Sequence, residues 1–243
     1  MSYVKVQRSS ASPFVLSITR QTYVDVFSEL SVPDGTWDIV IMRRRGGLRI
    51  LHTGMRTKPV LLAYEQGDEF ICISFKAGTF IPGIAPQAMV DQGVFLPQPN
   101  VRSFGLLSER FGIPSFENAD DFVGALVQGG LIARDELVDS GLFGEPRAAS
   151  IRSLQRHFIQ STGVTFNYHR QIQRAHHAVS LLVSGTSAAS AALEAGCTDR
   201  PHMVKSWKTI MGRTPSQIVV VGPNGTENRT RRTALTLAIF YKA

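Results

Sequence analysis

Residues 150–165 read SIRSLQRHFIQSTGVT, and residues 199–214 read DRPHMVKSWKTIMGRT. The two segments lie 49 positions apart and share one pattern. Each begins on a residue suited to cap a helix N-terminus, Ser150 or Asp199. Each then places two large apolar side chains four apart, Leu154 and Phe158 or Met203 and Trp207. Each stops on glycine, Gly163 or Gly212, with Thr165 or Thr214 two residues later. This is one short helix used twice, with Arg156 and Lys205 at matching exposed positions. A duplicated small basic helix is best explained by two reading heads for DNA.

In the first helix, Ile151, Leu154 and Phe158 form an inward stripe. Arg152, Gln155 and Arg156 share the opposite face at i, i+3 and i+4, with Ser153 in the same first turn. Arginine donates twice to guanine and glutamine pairs with adenine in the major groove. Ser150 caps a helix end that favours a nearby phosphate. In the second helix, Met203 and Trp207 point inward and leave Arg200, His202, Lys205 and Lys208 outside. Pro201 and Val204 take the places of Arg152 and Gln155, so this helix is expected to grip phosphates more than it reads bases.

Between the copies, residues 165–184 give the clearest helix, with Tyr168, Ile172, Ala175, Val179 and Leu182 on one face. Arg170, Arg174 and His177 lie on another. Gly185 ends this helix, and Thr186 or Ser187 caps a short Ala-rich helix through Leu193 that stops at Gly196. Helix, Gly-containing turn, helix is the helix-turn-helix arrangement. The connecting helix spans about 28 Å at 1.5 Å per residue. Successive major grooves on one face of DNA lie about 34 Å apart.

Charge follows the same division. From Ser150 onward there are 12 Lys+Arg against 3 Asp+Glu, and before it 14 against 16. All of the net charge of +7 therefore sits in the second part, as a polyanion-binding half requires. The first part reads as β-rich. Residues 36–42 (TWDIVIM), 48–52, 60–64 and 70–75 are short β-branched or aromatic runs. Pro33-Asp34-Gly35, Gly46-Gly47, Gln66-Gly67 and Ala77-Gly78 separate them as turns. Such strands imply an antiparallel sandwich or partial barrel. From Asn118 the pattern turns helical, and Gly141 to Pro146 breaks the second helical stretch. The expected fold class is α+β. An N-terminal antiparallel β sandwich over residues 1–117 precedes an all-α domain with two helix-turn-helix units over 118–220, then a tail, 221–243.

The residues quoted above resemble the AraC/XylS family of transcription regulators. The resemblance rests on residues 150–158, Gly163-Val-Thr, Arg174-Ala175, Leu181-Leu182, Ala192, Gly196, Asp199 and the closing GRTPSQ at 212–217. It implies a seven-helix domain with two helix-turn-helix units joined by a long helix. Carried over by position, Arg152, Gln155 and Arg156 read bases, and Arg200, His202 and Lys205 contact DNA. The chain departs from the family at Gly144 and Pro146, at Cys197 where an aromatic is common, and at Trp207 where Phe is usual. The first half is similar to a domain found ahead of some such regulators, through Pro33-Asp34-Gly35, Asp38-Ile39-Val40, residues 56–59 and residues 73–78. This implies a cupin-like domain for effector sensing, dimerisation or both.

The expected partners are double-stranded DNA, a small-molecule effector, a second copy of the chain and RNA polymerase. No cofactor or metal is expected. The chain has no run of 18 apolar residues and no apolar signal core, so a cytoplasmic protein without a membrane span is expected. Catalysis is not expected. Residues 1–117 hold a single histidine, His52, against the clustered imidazole and carboxylate ligands of a metal enzyme. His176 and His177 are helix neighbours that point apart. Some relatives carry a reactive cysteine for alkyl transfer, but Cys72 sits in an apolar run and reads as a buried strand residue. Asp34, Asp38 and Trp37 read as turn and core residues, while Trp37, residues 43–45 (RRR) and Phe80 are open to either a pocket or a structural role. The alternative function is a small-molecule-binding or catalytic N-terminal module tethered to nucleic acid by a nonspecific helical half.

Overall fold

The computed structural model describes residues 2–98, 100–143, 150–196 and 207–213. Its strands are β1 (Tyr3–Arg8), β2 (Val15–Tyr23), β3 (Phe27–Ser31), β4 (Trp37–Arg44), β5 (Gly47–Thr53), β6 (Val60–Tyr64), β7 (Glu69–Phe75), β8 (Thr79–Phe80), β9 (Gly93–Phe95), β10 (Ser103–Leu106), β11 (Glu109–Gly112) and β12 (Ala133–Arg134). Its helices are α1 (Pro86–Met89), α2 (Ala119–Gln128), α3 (Glu136–Phe143), α4 (Ile151–Thr162), α5 (Phe166–Val183) and α6 (Ala188–Glu194). Residues 207–211 are also helical. The fold is α+β, β-rich first and helical after. No described helix is long and apolar enough to cross a membrane.

Six strands form one antiparallel sheet in the order β1-β2-β7-β4-β5-β9. Period-2 alternation sets its register. Ile18 pairs with Ile73, Ile73 with Ile39, and Ile71 with Ile41, so the isoleucines line one face. Phe122, Val123 and Leu126 of α2, with Phe104 and Leu106 of β10, complete the core on that face. Asp120 and Asp121 occupy the first turn of α2, where the helix dipole favours acids. The four turn signals each hold a left-handed glycine, at Gly35, Gly47, Gly67 and Gly78.

The four β runs of the sequence all form strands; β1, β2 and β3 add a stretch that the sequence pattern did not flag. Cys72 differs from expectation. It is half-buried on the sheet face opposite the isoleucines, with Sγ 3.8 Å from Ser74 Oγ. Of the break expected over Gly141 to Pro146, Gly141 itself still lies inside α3, which ends at Phe143 within that segment. The expectations on Gly144, Pro146 and the tail at 221–243 fall outside the described residues.

Packing groups the chain into two units. One comprises residues 1–27, 35–56 and 63–166; the other comprises 28–34, 57–62 and 167–243. This grouping differs from the division at residue 117 read from composition. In the second unit, Ile172, Ala178 and Val179 of α5 meet Ala192 of α6, Val32, Trp207 and Ile210. Ser187 caps α6 by accepting from Ser190 N at 3.2 Å. Gly185, with φ 93°, ends α5. Two histidines seven residues apart, His169 and His176, share the buried face of α5. His176 Nε2 donates to the Pro33 carbonyl at 2.7 Å. Desolvation pulls the His169 pKa down to about 4, against a smaller opposing pull from Asp34.

Candidate nucleic-acid interface

Helix α4 carries the first set of expected contacts. Ser150 has extended backbone, and its side chain accepts from Ser153 N at 3.2 Å, as an N-cap should. Arg152, Gln155 and Arg156 are all exposed, and Ser153 is half-buried. Gln160, one turn beyond Arg156, extends the same exposed row and had no signal of its own in the sequence. The inward side is narrower than expected. Phe158 is fully buried and Leu154 half-buried, but Ile151 is 75% exposed.

Two features fix α4 against α3. A Cβ on Gly141 would meet Leu154 Cδ1 at 2.6 Å, so the bare glycine makes room for Leu154. Asp135 links the two helices. Its Oδ1 accepts from Leu137 N at 3.1 Å and Val138 N at 3.2 Å, capping α3. Its Oδ2 lies 2.9 Å from His157 Nδ1 on α4. Arg134 pairs with Asp139 beside it. Asp135 N in turn donates to Gly78 O at 2.9 Å, and β12 pairs with β8. The first helix pair is thus tied to the β region through backbone hydrogen bonds.

Asp135→Ala is expected to lose the α3 cap and the His157 contact together, costing about 2 kcal/mol of stability. Asp135→Asn keeps an acceptor for the cap and should lose less. Urea unfolding of both variants checks this; equal loss in the two would assign the effect to charge alone.

A second contact surface lies at the C-terminal end of α4. Gly163 closes the helix in the left-handed conformation, φ 80°. A Cβ there would come within 2.6 Å of Pro86 O on α1. Gln87 Nε2 donates to Ile159 O at 3.0 Å. On its other side α1 presses on the β5–β6 connection, where a Cβ on Gly54 would fall 1.9 Å from Met89 O. Helix α1 is a wedge between the sheet and the end of α4.

A cavity of about 30 Å³ opens beside this wedge, bounded by Trp37, His52, Met55, Met89, Ser161 and Thr162 among others. Trp37 stacks on Phe75 at 4.0 Å, and its Nε1 donates to Thr79 O at 2.6 Å. His52 meets Trp37 edge-on at 5.2 Å, and burial lowers its pKa to about 4. Of the pocket candidates, Trp37 and Phe80 line this cavity. Arg44 does not; it pairs with Asp68 at 3.0 Å and lies 5.4 Å from the Phe70 ring centre. Asp38 pairs its backbone N–H with Thr53 Oγ1 at 2.9 Å. Among the described residues no group of three His, Cys, Asp or Glu is placed to hold a metal.

The second basic helix is described only from residue 207. Trp207, Ile210 and Met211 are buried and Lys208 is exposed. Arg200, His202 and Lys205 lie outside the described residues, as do Pro201, Met203, Val204 and Cys197. Gly212 has φ 66°, consistent with a helix stop.

The helix-turn-helix domain family matches residues 148–219. Over that span the resemblance read from the sequence holds, and the domain is of the AraC type. No curated protein sequence matches the chain. Solved structures similar to it include ToxT from Vibrio cholerae at 1.65 Å resolution, 11% identical, covering 89% of this chain and 97% of that one, with a TM-score of 0.39. Another is ToxT from Vibrio cholerae O395 bound to (E)-4-(8-methylnaphthalen-1-yl)but-3-enoic acid, 10% identical, covering 89% and 98%, with a TM-score of 0.37.

Proposed function

We propose that this DNA-binding transcription regulator, whose AraC-type helix-turn-helix domain spans residues 148–219, is sequence-specific and reads two adjacent major-groove segments. The observation that carries the reading is the exposed row Arg152, Gln155 and Arg156 on a capped helix whose opposite side is packed. Ile151, exposed beside Arg152, adds an apolar group suited to a thymine methyl. Ser150 and Ser153 sit at the helix start, where backbone N–H groups favour phosphate. The second helix, with Arg200, His202, Lys205 and Lys208, holds the backbone of the next groove. The 18 residues of α5 give a rod of about 27 Å at 1.5 Å per residue, near the groove repeat of about 34 Å. The N-terminal β region serves effector sensing, pairing of two copies, or both.

The test is selection of bound sequences from a random duplex pool, with Arg156→Ala beside the wild type. A motif of two segments about one helical turn apart is expected. Arg156→Ala should cost about 1–3 kcal/mol on the selected site and relax base preference in the first segment. Lys205→Ala should weaken all duplexes alike and flatten the salt dependence. Equal loss by Arg156→Ala on selected and random DNA would remove its base-reading role.

A further inference from the structure

The cavity beside α1 has an unusual wall. The first 117 residues hold one histidine, one tryptophan and three methionines after Met1. That histidine, that tryptophan and two of those methionines, Met55 and Met89, all line this one space. All four side chains are buried, between 2% and 8% exposed. Among the described residues no Asp, Glu, Lys or Arg lines the cavity.

We propose that this cavity is a binding site for copper(I), held by the His52 imidazole and the Met55 and Met89 thioethers beside the Trp37 ring. Thioethers are soft donors that select copper(I), and imidazole suits copper equally. Hard dications need oxygen ligands, best carboxylates, and the described residues of this wall include none. A monovalent ion is the cation such an uncharged wall can best accept, because burying charge without a counter-ion is costly and rises steeply with charge. The ring of Trp37 adds a cation–π surface.

Size points the same way. A cavity of about 30 Å³ holds one ion or a few waters. The methionine backbones are also held together before any ion arrives. Asp91 N donates to Met55 O at 2.9 Å, Gln92 N to Met89 O at 2.9 Å, and Gly54 N to Gln92 O at 3.0 Å.

The site also has an output. Ser161 and Thr162, the last residues of α4, form part of its wall, and α1 carries Met89 at one end and abuts Gly163 at Pro86. An ion drawing Met89 toward His52 acts on the wedge that seats the end of α4. This second step rests on the reading of α4 as the base-reading helix; the binding step does not.

The experiment uses the full chain with Cys72→Ser and Cys197→Ser, so that thiolates do not compete. Copper(I) is titrated without oxygen against a chromophoric chelator, with silver(I) as a redox-inert probe and zinc(II) as a contrast. One equivalent of copper(I) or silver(I) and no zinc is expected. X-ray absorption should show both sulfur and nitrogen neighbours. Met55→Leu with Met89→Leu conserves volume and should weaken binding at least about 100-fold, since even outer-shell partners are worth 10–100-fold. An unchanged melting temperature of the ion-free variant shows that its fold survives. His52→Gln should also weaken binding. No binding, or binding that ignores these substitutions, overturns the site. Operator affinity with and without one equivalent of silver(I) should differ by at least about 5-fold. Ion binding that leaves operator affinity unchanged overturns the coupling. Failure to bind any DNA, with ion binding intact, would instead count against the regulator reading.

Discussion

Gly54→Ala is expected to destabilise the protein by about 3–4 kcal/mol, beyond the usual cost of overpacking. The added Cβ would lie 1.9 Å from Met89 O, 2.4 Å from Met89 C and 2.7 Å from Met89 Cβ. Two of these are backbone atoms, which cannot swing aside as a side-chain tip can. Relief requires parting the two loops and losing the hydrogen bonds Gly54 N to Gln92 O and Asp91 N to Met55 O. Gly124→Ala is the matched control. It lies inside α2 with nothing within 4 Å of a new Cβ, and should stabilise by up to about 1 kcal/mol. Urea unfolding of both variants checks the contrast. A Gly54→Ala protein as stable as wild type would show that α1 moves freely and is no wedge.

Lowering the pH from 7 to 4.5 is expected to remove about 2.5 kcal/mol of stability through His169 alone. Its pKa in the fold is about 4 because burial disfavours the charged imidazolium; the unfolded chain restores the ordinary 6.5. The unfolded state therefore binds the extra proton first. The contribution is complete above pH 6.5 and is lost as pH falls from there toward 4. His169→Gln carries no titrating group and should flatten this part of the profile. Unfolding free energies for both proteins at pH 7, 5.5 and 4.5 measure the difference. Parallel profiles would mean that the imidazole stays solvated or is charged in the fold.

Local signals were legible where the backbone itself decides. Gly35, Gly47, Gly67 and Gly78 mark turns because each takes a conformation other residues resist. The isoleucine runs read as strands because alternation on one face is a property of the segment alone. Strand β2 was not legible, since Arg20, Gln21 and Thr22 interrupt its apolar pattern, and its burial depends on pairing with β7 some fifty residues away. Gly141 read only as the start of a break over Gly141 to Pro146, but it also makes room for Leu154, which only the folded helix pair reveals. Ile151 obeys the spacing of the inward stripe and is exposed all the same. His176 and His177 read only as helix neighbours that point apart, and the partner of His176 is the Pro33 carbonyl, 143 residues earlier. The exposed row of α4 was legible because helical spacing alone sets Arg152, Gln155 and Arg156 apart from the packed side. The cavity was not, because Met55 comes from a loop and Met89 from the short helix α1, thirty-four residues apart, and they carry no pattern.

The interleaved units set an order of events during synthesis. Residues 28–34 and 57–62 leave the ribosome early, but pack with a body that begins at residue 167. At roughly 5–20 residues per second, Val32 waits several seconds or more for Ile172, Val179 and Trp207 to exist. During that interval the β3–β6 ribbon and Val32 beside it keep an apolar face uncovered, open to chaperones or to the same face of a neighbouring nascent chain. A chain released early, before residue 167, would keep the β core and the first helix pair but hold this ribbon permanently unsatisfied. Expression yield should therefore respond to translation speed across residues 60–170 far more than to speed before or after them.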